Sequence, residues 1–191
     1  MKTFKVSLDK KRSTSYEIRI GADILDRITL LITKNFSTGL CVVVTDDNVK
    51  ALYGDSFCEA LRQAGLNVLL VGIPAGESSK NISTVMDVVG RLLAAGADRE
   101  TLLIALGGGV IGDLTGFIAS VFMRSISYVQ IPTTLVGQVD SSIGGKTAVD
   151  LPQGKNLLGT FYQPRAVFDK RYPADSSPAE NRRQFYRRSS C

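Results

Sequence analysis

The sequence has no histidine, and its three cysteines, Cys41, Cys58 and Cys191, stand at unrelated spacings with no Cys-x-x-Cys pair. Neither a disulfide framework nor a zinc knuckle is supported, and buried free thiols are the simplest expectation for the first two. Long apolar runs are also missing. No window approaches the roughly 20 residues of a membrane-spanning helix, and the N-terminus, Met-Lys-Thr-Phe-Lys-Val-Ser-Leu-Asp-Lys, has no apolar leader core. A soluble, cytoplasmic protein with no membrane partner is expected. Charge of one sign is scarce over most of the chain. The net charge is +5, but residues 170–191 hold six basic against two acidic side chains, which leaves +1 for residues 1–169. A near-neutral body with an arginine-rich end argues against nucleic acid as a partner.

What is present suits one ordinary core, since 191 residues at 44% hydrophobic are too few for two full domains. Residues 1–169 are expected to form that domain, and 170–191 an irregular basic tail. Phe4, Val6 and Leu8, then Tyr16, Ile18 and Ile20, alternate with polar residues as half-buried strands do; a basic turn at 10–15 would join them as an N-terminal β-hairpin. Ile24, Leu25, Ile28, Leu31 and Ile32 recur at helical spacing. Four short apolar runs follow, at 39–45, 66–71, 102–106 and 126–131, as expected of strands buried on both faces of a parallel sheet. Helices are expected over about 48–64, 81–95 and 114–123. The alternation predicts a doubly wound, mostly parallel α/β fold of Rossmann-like type.

In such sheets ligands lie outside the C-terminal ends of the strands, and the polar residues of this chain gather there. Asp46, Asp47 and Asn48 follow the first run, either to accept ribose hydroxyls or to cap a helix. The loop at 75–80 carries Glu77, Ser78, Ser79 and Lys80, which suit helix capping or a nucleotide-facing turn. Gly107-Gly-Gly-Val-Ile-Gly-Asp113 joins a strand to a helix. There, backbone N–H groups can meet a pyrophosphate if the glycines are not simply serving a tight turn. Arg124 either complements a helix dipole or reaches an anion. The stretch from Pro132 to Asn156 is the richest. Thr133 and Thr134 offer hydroxyls, Asp140 an acceptor, Gly144 and Gly145 a close backbone, and Lys146, Lys155 and Asn156 donors. Such donors suit phosphate and carboxylate groups, and a carboxylate beside a lysine can orient hydroxyls for proton transfer.

From Asp46 to Asp169 the chain closely resembles the 3-dehydroquinate synthase family of sugar phosphate cyclases. The motifs are Gly-Glu-Ser-Ser-Lys at 76–80, Gly-Gly-Gly-Val-Ile-Gly-Asp at 107–113, Phe-Met-Arg at 122–124 and Gln-Ile-Pro-Thr-Thr at 130–134. Two more are Val-Asp-Ser-Ser-Ile-Gly-Gly-Lys-Thr at 139–147 and Gly-Lys-Asn-Leu-Leu-Gly-Thr-Phe-Tyr-Gln-Pro at 154–164. Iron-type alcohol dehydrogenases and glycerol dehydrogenases look similar only in the glycine turn and the Pro-Thr-Thr. The intact Gly144-Gly145-Lys146 favours the dehydroquinate branch. The resemblance implies an enzyme that binds NAD and cyclises 3-deoxy-D-arabino-heptulosonate 7-phosphate with release of phosphate, with a homodimer as its assembly. It implies that Asp46, Asn48, Glu77 and Lys80 hold the adenosine side. Gly108, Gly109, Asp113, Thr133, Thr134 and Lys155 would line the dinucleotide. Arg124, Asp140, Lys146 and Asn156 would contact the phosphorylated sugar acid, with Asp140 and Lys146 as catalytic residues.

The departures matter as much. Members of the family continue for about as many residues again, into a helical domain whose Glu and two His bind zinc. No metal ligand is expected in this chain. The zinc polarises the hydroxyl to be oxidised, so a chain without it is expected to be a catalytically incomplete NAD-binding fragment if it is not the synthase itself. The resemblance stops after Asp169. Back-translation of Lys170–Ala179 with a shift of one base permits Asn-Asp-Thr-Leu-Gln-Thr-Leu-Pro, close to the family's continuation, so the tail is expected to be frameshift-derived.

Overall fold

The computed structural model describes residues 15–21, 24–36 and 38–169. The first strand and the turn of the expected N-terminal hairpin, like the tail at 170–191, lie outside the described residues. The elements in chain order are β1 (Glu17–Ile20), α1 (Ile24–Asn35), β2 (Cys41–Asp46), α2 (Asp47–Val49), α3 (Asp55–Gln63), β3 (Val68–Ile73), α4 (Ile82–Ala94), β4 (Leu102–Gly107), α5 (Gly109–Val121), β5 (Ser127–Pro132), β6 (Lys146–Leu151), β7 (Gly154–Phe161) and β8 (Ala166–Asp169).

Six strands form one sheet in the order β1-β8-β5-β4-β2-β3, and every pair in it is parallel. The apolar runs explain why. A strand such as Cys-Val-Val-Val-Thr-Asp has no polar face to turn to water, so it is stable only with helices on both sides. Val42 and Val44 accordingly join Leu103, Ala105, Leu114 and Ile118 in the core under α4 and α5. Cys41 and Val43 point the other way, to Ile28, Ile32, Phe57 and Leu61 of α1 and α3. The doubly wound parallel sheet is thus the expected one.

Three boundaries differ from expectation. The helix expected over 48–64 is interrupted by a wide π-helical turn at Lys50–Gly54. The strand expected at 66–71 is β3, two residues later, because Gly65 turns with φ 86° and the Asn67 carbonyl accepts the Cys41 N–H before pairing begins. The helix expected at 114–123 starts at Gly109, so the glycines form its first turns. They are there to permit close packing: a Cβ on Gly112 would sit 2.8 Å from Gln130 Oε1, and one on Gly116 would run into Thr147 and the Tyr128 ring.

The Pro132–Asn156 stretch is more ordered than a site loop. It makes a π-helical turn at Gly137–Ser141 and then the antiparallel hairpin β6–β7, which lies along α5. A chain of hydroxyls pins the hairpin there. Thr147 Oγ1 lies 2.8 Å from Thr160 Oγ1, which donates to Ser120 Oγ at 2.8 Å, and Ser120 donates to the Phe117 carbonyl at 2.7 Å.

Candidate functional site

From β2 the chain proceeds outward to β3, and from β4 it proceeds outward the other way to β5, so the winding reverses between β2 and β4. At that reversal the following segments part and leave a crevice at the C-terminal ends of the strands. Gly107 ends β4 there, Gly108 caps α5, and Gly109 opens it. A Cβ on Gly108 would lie 2.9 Å from Thr134 Cγ2, closer than such atoms come without a shift, and one on Gly109 would lie 3.1 Å from Ser141 Oγ, a tight contact that the serine would have to yield to. Thr133 donates its backbone N–H to the Gly107 carbonyl at 2.9 Å. Its hydroxyl is buried, as are those of Thr45 and Ser142, and none of the three has a hydrogen-bond partner among the described residues. Across the crevice, Asp46 Oδ1 accepts the N–H groups of Asn48 and Val49, both at 3.0 Å. Asp46 is therefore the N-cap of α2, and whatever else it does falls to its other oxygen.

The centre of the site is Lys80, only 4% exposed. Its Nζ donates to Asp113 Oδ2 and to Asn156 Oδ1, each at 2.5 Å. A buried ammonium needs such acceptors, and this one gathers a loop, the first turns of α5 and the hairpin. Burial holds the Asp113 carboxyl above the usual carboxylate range, the Lys80 contact opposing that rise. Glu77 and Lys155 make a second, exposed contact between the same loop and hairpin, at 3.3 Å. Lys80, Asp113 and Asn156 thus meet directly, and Gly108 and Gly109 adjoin Thr134 and Ser141.

Other expected residues are not brought to this point. Lys146 pairs with Phe161 at the far end of the hairpin, five positions from Asn156, which is about 16 Å along a strand. The Gly144–Gly145 turn before it is held from three sides. The Gly144 N–H donates to Tyr16 Oη at 3.0 Å, Gln163 Nε2 donates to the Gly144 carbonyl at 3.1 Å, and the Tyr162 N–H donates to the Gly145 carbonyl at 2.8 Å. Asp140 is exposed in the π-helical turn, among the exposed apolar residues Leu135, Val136, Val139 and Ile143. Arg124 is farther still. It follows α5, whose 13 residues run from the crevice to the opposite edge of the sheet, about 20 Å at 1.5 Å per residue. There Met123, Arg124 and Ser125 hold positive φ angles of 47°, 68° and 95° between the buried Phe122 and Ile126.

Sequence reasoning missed Asp150, whose Oδ1 accepts the Asn156 N–H at 2.8 Å. The available signal was the hairpin itself. Thr147-Ala-Val149 alternates, and Leu-Pro-Gln-Gly at 151–154 is turn chemistry between two extended segments. No three His, Cys, Asp or Glu side chains converge among the described residues, and no helix among them is long and apolar enough to cross a membrane.

Known proteins with a similar sequence or fold identify the family. The 3-dehydroquinate synthase from Clostridium acetobutylicum is 48% identical over 168 residues, covering 88% of this chain and 46% of that protein. The chain therefore spans about half the length of the curated relatives it matches. Among solved structures, a 2-deoxy-scyllo-inosose synthase complexed with carbaglucose-6-phosphate, NAD+ and Co2+ superposes with a TM-score of 0.75 at 30% identity, covering 81% of this chain and 42% of that one. ValA, the 2-epi-5-epi-valiolone synthase of Streptomyces hygroscopicus subsp. jinggangensis 5008 with NAD+ and Zn2+ bound, gives 0.75 at 33% identity, covering 87% of this chain and 45% of that one. The family model for the 3-dehydroquinate synthase N-terminal region matches residues 70–183, more than half of the sequence and running past Asp169, where the resemblance was expected to stop, and the chain belongs to that family.

Proposed function

We propose that this chain is the NAD-binding half of a 3-dehydroquinate synthase. It would cradle the dinucleotide for cyclisation of 3-deoxy-D-arabino-heptulosonate 7-phosphate to 3-dehydroquinate, a step of the shikimate pathway that releases phosphate. The observation that carries this reading is a Cβ-free turn beside the unpartnered, buried Thr133 hydroxyl, at the point where the sheet's winding reverses. A pyrophosphate fits such a place. It can approach the backbone N–H groups of α5 closely and offers oxygens to an orphaned donor. In this reading Gly108, Gly109, Asp113, Thr133, Thr134 and Lys155 line the dinucleotide, and Asp46, Asn48 and Glu77 hold its adenosine side; Lys80, expected on that side too, is buried between Asp113 and Asn156 and so acts where the dinucleotide and the sugar acid meet. Held by these residues, NAD would supply a reversible hydride acceptor for a substrate hydroxyl. Asn156, held against Lys80, and the exposed Asp140 and Lys146 are assigned to the sugar acid. Asp140 accepts from its hydroxyls and Lys146 donates to its anionic groups. Within one chain Arg124 cannot join them, so its part goes with the homodimer that the resemblance implies. A cytoplasmic setting belongs to the same proposal, and the buried free thiols Cys41 and Cys58 suit a reducing compartment.

The metal found beside NAD+ in the two structural neighbours is a different matter. The sequence has no histidine, and the described residues offer no cluster of three candidate ligands, so the residues present do not fit a zinc site. That mismatch favours a second reading, in which this chain takes up NAD but completes no cyclisation alone. Calorimetric titration with NAD, run beside a phosphate-release assay with added zinc, separates the two. NAD uptake without phosphate release is expected. Phosphate release by the purified chain refutes the incomplete fragment, and no NAD uptake refutes both.

A further inference from the structure

Asp150 has no part in the chemistry above, yet it touches both segments that carry the site. Its backbone N–H donates to the Lys80 carbonyl at 2.7 Å, and Asn81 and Asp150 form an isolated parallel bridge, so the 76–81 loop is tied to the end of β6. The β6–β7 register shifts between Val149 and Leu151, which puts Asp150 in the irregularity, and such a break re-aims a side chain. Here the carboxylate turns to accept the Asn156 N–H at 2.8 Å. Asn156 holds φ 57°, a left-handed conformation that asparagine tolerates better than most non-glycine residues but still adopts infrequently, and a hydrogen bond to a carboxylate stabilises it there. Set in this way, the Asn156 side chain reaches Lys80 Nζ at 2.5 Å. The contacts close a ring from the Lys80 carbonyl through Asp150 and Asn156 back to the Lys80 ammonium.

We infer that Asp150 is a positioning residue: by holding Asn156 left-handed it fixes the Lys80 ammonium and the adjacent Lys155 where a ligand meets them. The inference deepens the proposed function and rests on it, because Lys80 and Lys155 bind a dinucleotide only in that reading.

The test uses the full chain with Asp150→Ala and Asp150→Asn, each in the natural and the Asn156→Gly background. Hydrogen exchange at the Asn156 amide and NAD affinity by calorimetry are the two readouts. In Asp150→Ala, exchange at Asn156 should accelerate at least about tenfold while β4 amides stay protected, and Asp150→Asn, which keeps an acceptor oxygen, should do less. NAD affinity should fall about five- to tenfold in Asp150→Ala, but less than about twofold in the Asn156→Gly background, because the side chain through which Asp150 acts on Lys80 is already gone there and glycine takes positive φ unaided. Unchanged exchange at Asn156 in a folded Asp150→Ala chain overturns the inference. An equal loss of affinity in both backgrounds also overturns it, since a merely structural role would act alike in each. A natural chain that takes up no NAD overturns the proposed function instead, and exchange at Asn156 then still decides whether Asp150 holds that backbone.

Discussion

Lys80 and Asp113 form an ion pair of 2.5 Å in which the lysine side chain is 5% exposed and the aspartate 20%, and this contact joins the 76–81 loop to the first turns of α5. Removing one member of a buried pair leaves the other charge without compensation. Lys80→Met should therefore destabilise the chain by about 2 kcal/mol, below the range for fully buried pairs because Asp113 keeps some access to water. Adding Asp113→Asn should restore much of that loss. Urea unfolding measures both, and a loss under about 0.5 kcal/mol in Lys80→Met would mean that the pair is solvent-screened.

The same carboxylate makes stability depend on pH. Burial raises the Asp113 pKa above the usual 3.8, with the hydrogen bond and charge of Lys80 working against the rise. The folded chain thus holds the Asp113 proton more tightly than the unfolded chain does. The resulting stabilisation is fully present below the unfolded value and is lost as pH rises through the raised folded value. Asp113→Asn does not titrate there. The stability of the natural chain minus that of the variant should accordingly fall as pH climbs through this window, as read from denaturation midpoints. A flat or rising difference contradicts the assigned balance of burial over the Lys80 contact.

Glycine substitutions separate site from scaffold. A side chain on Gly108 would press on Thr134 within the crevice, while one on Gly116 would strike Thr147 and Tyr128 in the packed seam between α5 and the hairpin. Gly108→Val should abolish NAD uptake and leave the folded spectrum intact. Gly116→Ala should lower stability by about 1–3 kcal/mol, the usual result of overpacking. Circular dichroism with calorimetry distinguishes them. Equal NAD uptake by Gly108→Val and the natural chain would place the dinucleotide elsewhere.

The parallel sheet was legible because runs such as Leu102–Leu106 admit no exposed face, and their alternation with helical segments allows few topologies. The glycine turn was legible as well, since its residues are contiguous. The hairpin was not. Its β7 burial pattern is mostly exposed, so the alternation that announces a half-buried strand is weak there, and polar donors drew attention instead. Nor could spacing reveal that Lys80 meets Asn156, 76 positions away, or that Arg124 stands at the opposite edge from Gly108. These relations follow from helix direction and hairpin register, which are properties of the assembled chain.

Burial also governs the cysteines. Cys41 in β2 and Cys58 in α3 are inaccessible, and desolvation pushes each thiol up to about 11. Only the thiolate reacts with alkylating agents, so both should stay unmodified at pH 8 in the folded chain and react on unfolding. Peptide mass spectrometry after a timed pulse of iodoacetamide reads the two sites individually. Fast labelling of Cys41 would show that the β2–α3 layer opens readily.

Arg124 offers the clearest conflict between local strain and a binding role. It holds φ 68° between two further positive angles, with the turn closed by hydrogen bonds from Ser125 to Phe122 and from Ile126 to Ala119, both 2.9 Å. A left-handed arginine has about 1 kcal/mol of strain that glycine lacks, although glycine loses more entropy on folding. Arg124→Gly should therefore be neutral or stabilising by up to about 1 kcal/mol in urea unfolding, whereas an exposed arginine elsewhere on a helix would lose stability when made glycine. Strained backbone persists where the residue has another task. If that task is to hold an anion, the variant should bind inorganic phosphate more weakly than the natural chain while being at least as stable. A destabilisation beyond about 1 kcal/mol would show instead that the arginine side chain holds the turn together.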